Sequence, residues 1–211
     1  MTPRKLFVAG ASGATGRLVV ALAAKLGLDV LSHLRPKPGR SPGVGTAVFE
    51  LSDTEALQRA LQGRTTLLQL IGTTRQRFAA GDTYETSDIG TTRSLLAAAK
   101  AVGLDHVVLL SAVGAGFPLG AYLRAKAEVE RLVREGGIPW TIFRPSAFIS
   151  DTQKPPAALG ALTRALGLSR FEPIALPALA SGLVRSARER APLETVLEGA
   201  PLFAFASPAS R

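Results

Sequence analysis

Short apolar runs alternate along the chain with stretches in which apolar residues recur at helical spacing, the two periods that separate strand from helix. The runs Lys5–Ala9, Asp29–His33, Thr46–Glu50, Leu67–Ile71, Val107–Leu110 and Trp140–Phe143 predict strands. Between them the helical period predicts Gly16–Leu26, Thr54–Gln62 with Asp53 as its N-cap, Ser87–Ala101 and Tyr122–Glu135. A breaker-rich loop, Arg35-Pro-Lys-Pro-Gly-Arg-Ser-Pro-Gly43, follows the second strand. Repeated βα units with short connections imply an α/β fold built on a doubly wound parallel sheet. Such sheets take ligands at the carboxyl ends of their strands, which makes the loops Phe78–Tyr84 and Gly114–Gly120 candidate pocket walls.

After Ser150 the pattern weakens: prolines stand at 155, 156, 173 and 177, a helix is predicted near Ala178–Arg190, and Leu202–Ala206 reads as a late strand. The 211 residues therefore suggest a single domain, with residues 1–150 as the ligand-binding core and 151–211 as a short tail along one edge of a substrate pocket. The absence of cysteine excludes disulfides, thiolate metal sites and cysteine nucleophiles, and no metal site is expected. Met1-Thr-Pro-Arg-Lys5 leads straight into a strand without a long apolar segment, so neither a signal peptide nor a membrane span is expected, and the chain reads as cytoplasmic. The net charge of +9 raises the question of nucleic acid. Its arginines are scattered, as at Arg124, Arg131 and Arg134, without interleaved stacking aromatics, so a nucleic-acid partner is not expected.

The most specific local pattern is Gly10-Ala11-Ser12-Gly13-Ala14-Thr15-Gly16, between the first strand and the first helix. A helix beginning near Ala14 leaves unpaired backbone N–H groups and a positive dipole end, where a pyrophosphate fits. Gly10 suits the tight turn, Gly13 the approach of a diphosphate, and Gly16 the packing of helix on strand. The glycines stand three apart, which differs from the commoner G-x-G-x-x-G spacing. An acidic residue ending the second strand would hold a ribose 2′-hydroxyl, but this strand runs into Arg35, and Arg17 follows the last glycine. Two cations and no carboxylate favour NADP(H) over NAD(H), since guanidinium binds phosphate through paired hydrogen bonds. Asp53 has both a capping role and a position suited to the adenine side.

Tyr122 and Lys126, four residues apart on one predicted helix, share a face, so the ammonium is expected to stabilise phenolate and bring the phenol nearer neutrality. Ser111, ending the fifth strand, is placed to hydrogen-bond a substrate carbonyl or hydroxyl, completing a proton-relay triad.

These residues resemble the short-chain dehydrogenase/reductase superfamily, in its atypical and extended branches, over nearly all of residues 5–150. The carrying segments are the glycine loop, Glu50-Leu51-Ser52-Asp53, Ile71-Gly72-Thr73-Thr74-Arg75, Leu110-Ser111-Ala112, Tyr122-Leu-Arg-Ala-Lys126 and Phe143-Arg-Pro145-Ser146. The Gly-Thr-Thr-Arg segment and short tail look most like the Tat-interacting-protein-like oxidoreductases. The resemblance implies a Rossmann-like fold, cofactor contacts at Leu51, Ile71, Gly72, Thr73, Lys126 and Pro145, and catalytic roles for Ser111, Tyr122 and Lys126. Two departures stand out: Ser87-Asp88 occupies the region where many catalytic members carry a relay asparagine, and the segment from serine to tyrosine is short. The resemblance implies an NADPH-dependent reductase acting on a small carbonyl or conjugated acceptor, working as a monomer or homodimer. A non-catalytic NADP(H)-binding sensor acting through protein contacts is the other reading, and the intact tyrosine–lysine pair argues for the enzyme. A nucleotide-sugar epimerase would need a longer tail.

Overall fold

The computed structural model describes residues 3–72, 81–146 and 169–207, with the backbone of Phe148–Ile149. Strands β1 (Lys5–Ala9), β2 (Asp29–Leu34), β3 (Thr46–Val48), β4 (Thr66–Gln69), β5 (His106–Leu110), β6 (Trp140–Arg144) and β9 (Thr195–Glu198) form one sheet in the order β3-β2-β1-β4-β5-β6-β9. Every neighbouring pair in it is parallel. The short strands β7 (Phe148–Ile149) and β8 (Ile174–Ala175) pair with each other outside it.

The helices are α1 (Ala14–Lys25), α2 (Thr54–Leu61), α3 (Thr91–Ala101), α4 (Gly120–Glu135), α5 (Leu176–Glu189) and α6 (Ala200–Ala206). A π-helical turn, Tyr84–Gly90, leads into α3.

Alternation along the central strands builds two cores. Phe7, Leu67, Val107 and Ile142 pack with Leu57, Leu95 and Val129 on one face of the sheet. Leu6, Val8, Leu68, Val108 and Phe143 pack with Val19, Leu179 and Leu183 on the other. Because β1 and β5 are buried on both faces, they read in sequence as nearly continuous apolar runs, while β4 buries Thr66 and Gln69 at its ends. The strand order reverses between β1 and β4, and this switch point opens a crevice at their carboxyl ends.

The doubly wound sheet of the sequence reading is thus the observed fold, with two corrections in detail. Leu202–Ala206 is not a strand: it belongs to α6, and the seventh strand of the sheet is Thr195–Glu198 just before it. Gly199, at φ +58°, turns the chain between them, and Pro201 sits in the first helical turn, where its missing N–H costs nothing. The second correction concerns Ser87–Ala101, which does not begin as regular α-helix. The backbone is π-helical until Gly90, where a β-carbon would stand 3.1 Å from the Glu85 carbonyl. No helix among the described residues is long and apolar enough to cross a membrane.

Candidate functional site

The glycine loop lies where the strand order reverses, and its three glycines answer to different constraints. Gly10 has φ +90°, and a β-carbon there would stand 2.8 Å from the Leu70 carbonyl group at the end of β4. At Gly16 a β-carbon would fall 2.2 Å from the Gly10 oxygen and 2.8 Å from the Ala11 Cα, so α1 can approach the loop only without a side chain at that position. Gly13 differs. Its φ is −71°, and a β-carbon would meet only the Gly10 oxygen at 3.4 Å, an ordinary contact. The fold itself therefore makes no demand for glycine at position 13, which leaves bare backbone facing outward at the helix start. No side chain caps α1 and no acidic residue occupies its first turn, so the N–H groups that open the helix have no side-chain partner. Such an end could hold a dinucleotide's pyrophosphate.

Of the residues proposed for the adenosine end, Arg35, Leu51 and Asp53 follow the carboxyl ends of β2 and β3. A cleft of about 170 Å³ there is lined by residues including His33, Arg35, Glu50, Leu51, Asp82 and Thr86. The Arg35 guanidinium stands 3.6 Å from the Asp82 carboxylate in this cleft. Arg17 donates instead to the Ser12 carbonyl at 2.7 Å, on the glycine loop. Asp53 caps α2, accepting from the Ala56 N–H at 2.9 Å. A larger hollow of about 550 Å³ between α2 and α3 is lined by Glu55, Gln58, Arg59, Gln62, Ala101 and Val102, and none of the candidate residues reaches it.

The other strand ends complete the edge. Ile71 and Gly72 follow β4, and the Ile71 carbonyl accepts from Lys126 Nζ at 3.3 Å; a β-carbon on Gly72 would lie 3.4 Å from that nitrogen. Pro145, just past β6, accepts through its carbonyl from the Val113 N–H at 2.9 Å, which keeps the ends of β5 and β6 in register. Thr73 lies outside the described residues, as do Thr74, Arg75 and the part of the predicted Phe78–Tyr84 loop up to Ala80.

On α4 the phenol and ammonium do share a face, with Lys126 Nζ 5.9 Å from the centre of the Tyr122 ring. Lys126 is buried there and bonded to Asp88 at 2.9 Å, and Asp88 is buried too, on the π-helical turn. The turn also brings the Tyr84 ring within 6.0 Å of Tyr122. The expected lowering of the phenol's pKa is not found. Partial burial pushes Tyr122 above its ordinary value, and the nearby Asp88 carboxylate pushes in the same direction.

Ser111 ends β5 as expected, but its buried hydroxyl donates to Glu130 Oε1 at 2.6 Å. Glu130 also accepts from Arg144 Nη2 at 2.6 Å and from Arg134 at 3.2 Å, and Arg144 reaches Glu198 on β9. No hydrogen bond joins Ser111 to Tyr122. With its only proton committed to Glu130, Ser111 has lone pairs to offer and no donor for a carbonyl. Asp88 and Glu130 are the partners that the sequence reading missed. Glu130 was within reach of pattern alone, because Tyr122, Lys126, Glu130 and Arg134 recur at four-residue spacing along α4. Asp88 gave no such signal, since its pairing spans 38 residues.

The switch-point crevice, the glycine cradle and the parallel sheet together define a Rossmann-type dinucleotide-binding protein. Residues 10–174 match the NAD(P)H-binding family, and the chain belongs to that family. Over 151 residues it is 32% identical to the (4-alkanoyl-5-oxo-2,5-dihydrofuran-3-yl)methyl phosphate reductase of Streptomyces griseus. That match covers 70% of this chain and 49% of the relative, so the chain spans about half the length of that protein. Among solved structures, a short-chain dehydrogenase/reductase superfamily protein of Agrobacterium tumefaciens with bound NAD superposes with a TM-score of 0.69 at 20% identity, covering 93% of this chain and 78% of that one. The Bordetella bronchiseptica enzyme WbmH in complex with NAD+ gives 0.66 at 15% identity, covering 88% and 72%. At these identities the two structures speak for the fold.

Proposed function

We propose that this protein is an NADPH-dependent reductase in which Tyr122 protonates a small carbonyl or conjugated acceptor. The observation that supports this most is the meeting, at one edge of the sheet, of a bare glycine cradle and a helix face carrying a phenol beside a buried ammonium. A bound reduced nicotinamide supplies the hydride. The chain's own part begins with binding: the N–H groups opening α1 hold the pyrophosphate, while Arg17 and Arg35 favour a 2′-phosphate. Lys126, fixed by Asp88 and the Ile71 carbonyl, is held beside Gly72 at the end of β4. Tyr122, 41% exposed, can reach an acceptor and give its phenolic proton to the oxygen that gains charge as hydride adds to carbon. Ser111, committed to Glu130, is left to accept a hydrogen bond from a hydroxyl. The reductase named among the relatives agrees with this reaction class.

The test is NADPH consumption against a panel of aldehydes, ketones, quinones and enones, repeated with Tyr122→Phe. Turnover on the accepted substrate should fall by roughly two to four orders of magnitude while dinucleotide affinity is kept. Equal turnover in Tyr122→Phe would remove the phenol from the chemistry. A protein that binds NADPH and consumes it with none of the panel would favour the alternative, a cofactor-loaded sensor acting through protein contacts.

A further inference from the structure

Lys126 and Asp88 form a buried ion pair whose ammonium lies 5.9 Å from the centre of the Tyr122 ring: side-chain exposures are 5% and 1%, and Nζ to Oδ1 is 2.9 Å. The family resemblance assigns Lys126 a charge that draws the phenol toward ionisation, and it assigns nothing to Asp88. Two opposite unit charges this close act on a third group as a dipole, and most of their separate effects cancel. Low surrounding polarity strengthens each contribution but does not undo the cancellation.

We propose that Asp88 is a positioning residue that holds Lys126 at the end of β4 and cancels its charge at Tyr122, so that Tyr122 stands as a protonated phenol, a resident acid rather than a phenolate. The inference rests on the reductase reading for its catalytic meaning, though not for its test. The described groups placed to act on Tyr122 are Lys126 on the same helix and, on the π-helical turn packed against it, Asp88 and the Tyr84 phenol. Asp88 precedes the regular helix, and Thr92 Oγ1 donates to its carbonyl at 2.6 Å while Gln69 of β4 donates to that same Thr92 hydroxyl at 2.7 Å, tying the turn to the strand. Lys126 is in turn tied to the Ile71 carbonyl, so both members of the pair are anchored to the segment that ends β4. The direction of the Tyr122 shift agrees, with burial its first cause and Asp88 its second.

The chain has only two tyrosines, which makes the test direct. In a Tyr84→Phe background the near-ultraviolet phenolate absorbance reports Tyr122 alone, followed over the pH range in which circular dichroism shows the fold intact. Asp88→Asn should move the Tyr122 midpoint down by about one pH unit or more, because the ammonium is then unopposed. The double variant Asp88→Asn/Lys126→Met removes both charges and leaves no buried ion without a partner. It should keep the midpoint within about half a unit of the parent. Coincident titrations for Asp88→Asn and the parent would overturn the proposal. So would a rise of about a unit in the double variant, since Lys126 would then have been lowering the phenol all along. Should Asp88→Asn not fold, the double variant decides. In turnover, Asp88→Asn should shift the alkaline limb of the pH–rate profile down by the same interval, which a merely structural role would not do. The titration needs neither cofactor nor acceptor, so its failure is separate from that of the reductase reading, which Tyr122→Phe decides.

Discussion

The glycine loop and the face of α4 meet at the same edge of the sheet, yet they are built by opposite means. Gly10, Gly13 and Gly16 interact within a few residues of one another and with the adjacent end of β4, and the backbone alone explains two of the three. The α4 face presents Tyr122, Lys126, Glu130 and Arg134 at regular spacing, but its electrostatics are set by residues from elsewhere: Asp88 on the π-helical turn, Ser111 after β5 and Arg144 on β6. A site made of backbone amides is determined once the loop folds. A site made of charged side chains depends on which counter-charge the tertiary structure delivers.

The largest expected effect comes from the remote partners on α4. Glu130→Ala should cost about 3 kcal/mol or somewhat more, because it takes the shared carboxylate from the buried Ser111 hydroxyl and from half-buried Arg144, which keeps only Glu198, and the denaturant midpoint measures it. A loss under about 1 kcal/mol would mean that water replaces Glu130 and that this face is no more dependent on tertiary partners than the loop.

The loop can be dissected by two alanines. Gly16→Ala should lower stability by about 3 kcal/mol, since the added carbon collides with backbone that cannot swing away. Gly13→Ala should leave stability within about 0.5 kcal/mol but weaken dinucleotide binding tenfold or more, about 1.4 kcal/mol, by calorimetry. If both variants unfold alike, Gly13 serves packing and not the cofactor.

At the adenosine end, Arg17→Ala/Arg35→Ala should weaken NADPH by about 2 kcal/mol and leave NADH nearly unchanged. Equal losses for the two dinucleotides would withdraw the 2′-phosphate from these arginines. The smallest effect is expected at Asp53, where alanine should cost about 1 kcal/mol through the lost cap of α2. Dinucleotide affinity should there stay within a factor of about two. A larger loss would give Asp53 an adenine-side contact in addition to its cap.

Much of the fold was legible because it rests on short-range pattern. Continuous apolar runs marked strands covered on both faces, helical spacing marked the crossovers, and Asp53 announced the start of α2. The errors fell where neighbouring residues underdetermine the backbone. Leu202–Ala206 is apolar enough for either period, and its helical state follows from the turn at Gly199 and from packing of Leu202 and Ala206 against the α5 core. The π-helical turn has no periodic signature, because it is only seven residues long and defined by its contacts.

By itself, the sequence determined the parallel α/β architecture, the glycine cradle at the end of β1 and the shared face of Tyr122 and Lys126, since each depends on spacing within a single element or one strand-to-helix turn. Tertiary structure alone decided that Lys126 faces Asp88 and that Ser111 gives its proton to Glu130. The physical reason is range. Steric and periodic constraints act over a few residues and leave their mark in the local sequence, whereas the protonation and hydrogen-bonding state of a buried group is set by whichever charges the completed fold brings within a few ångströms.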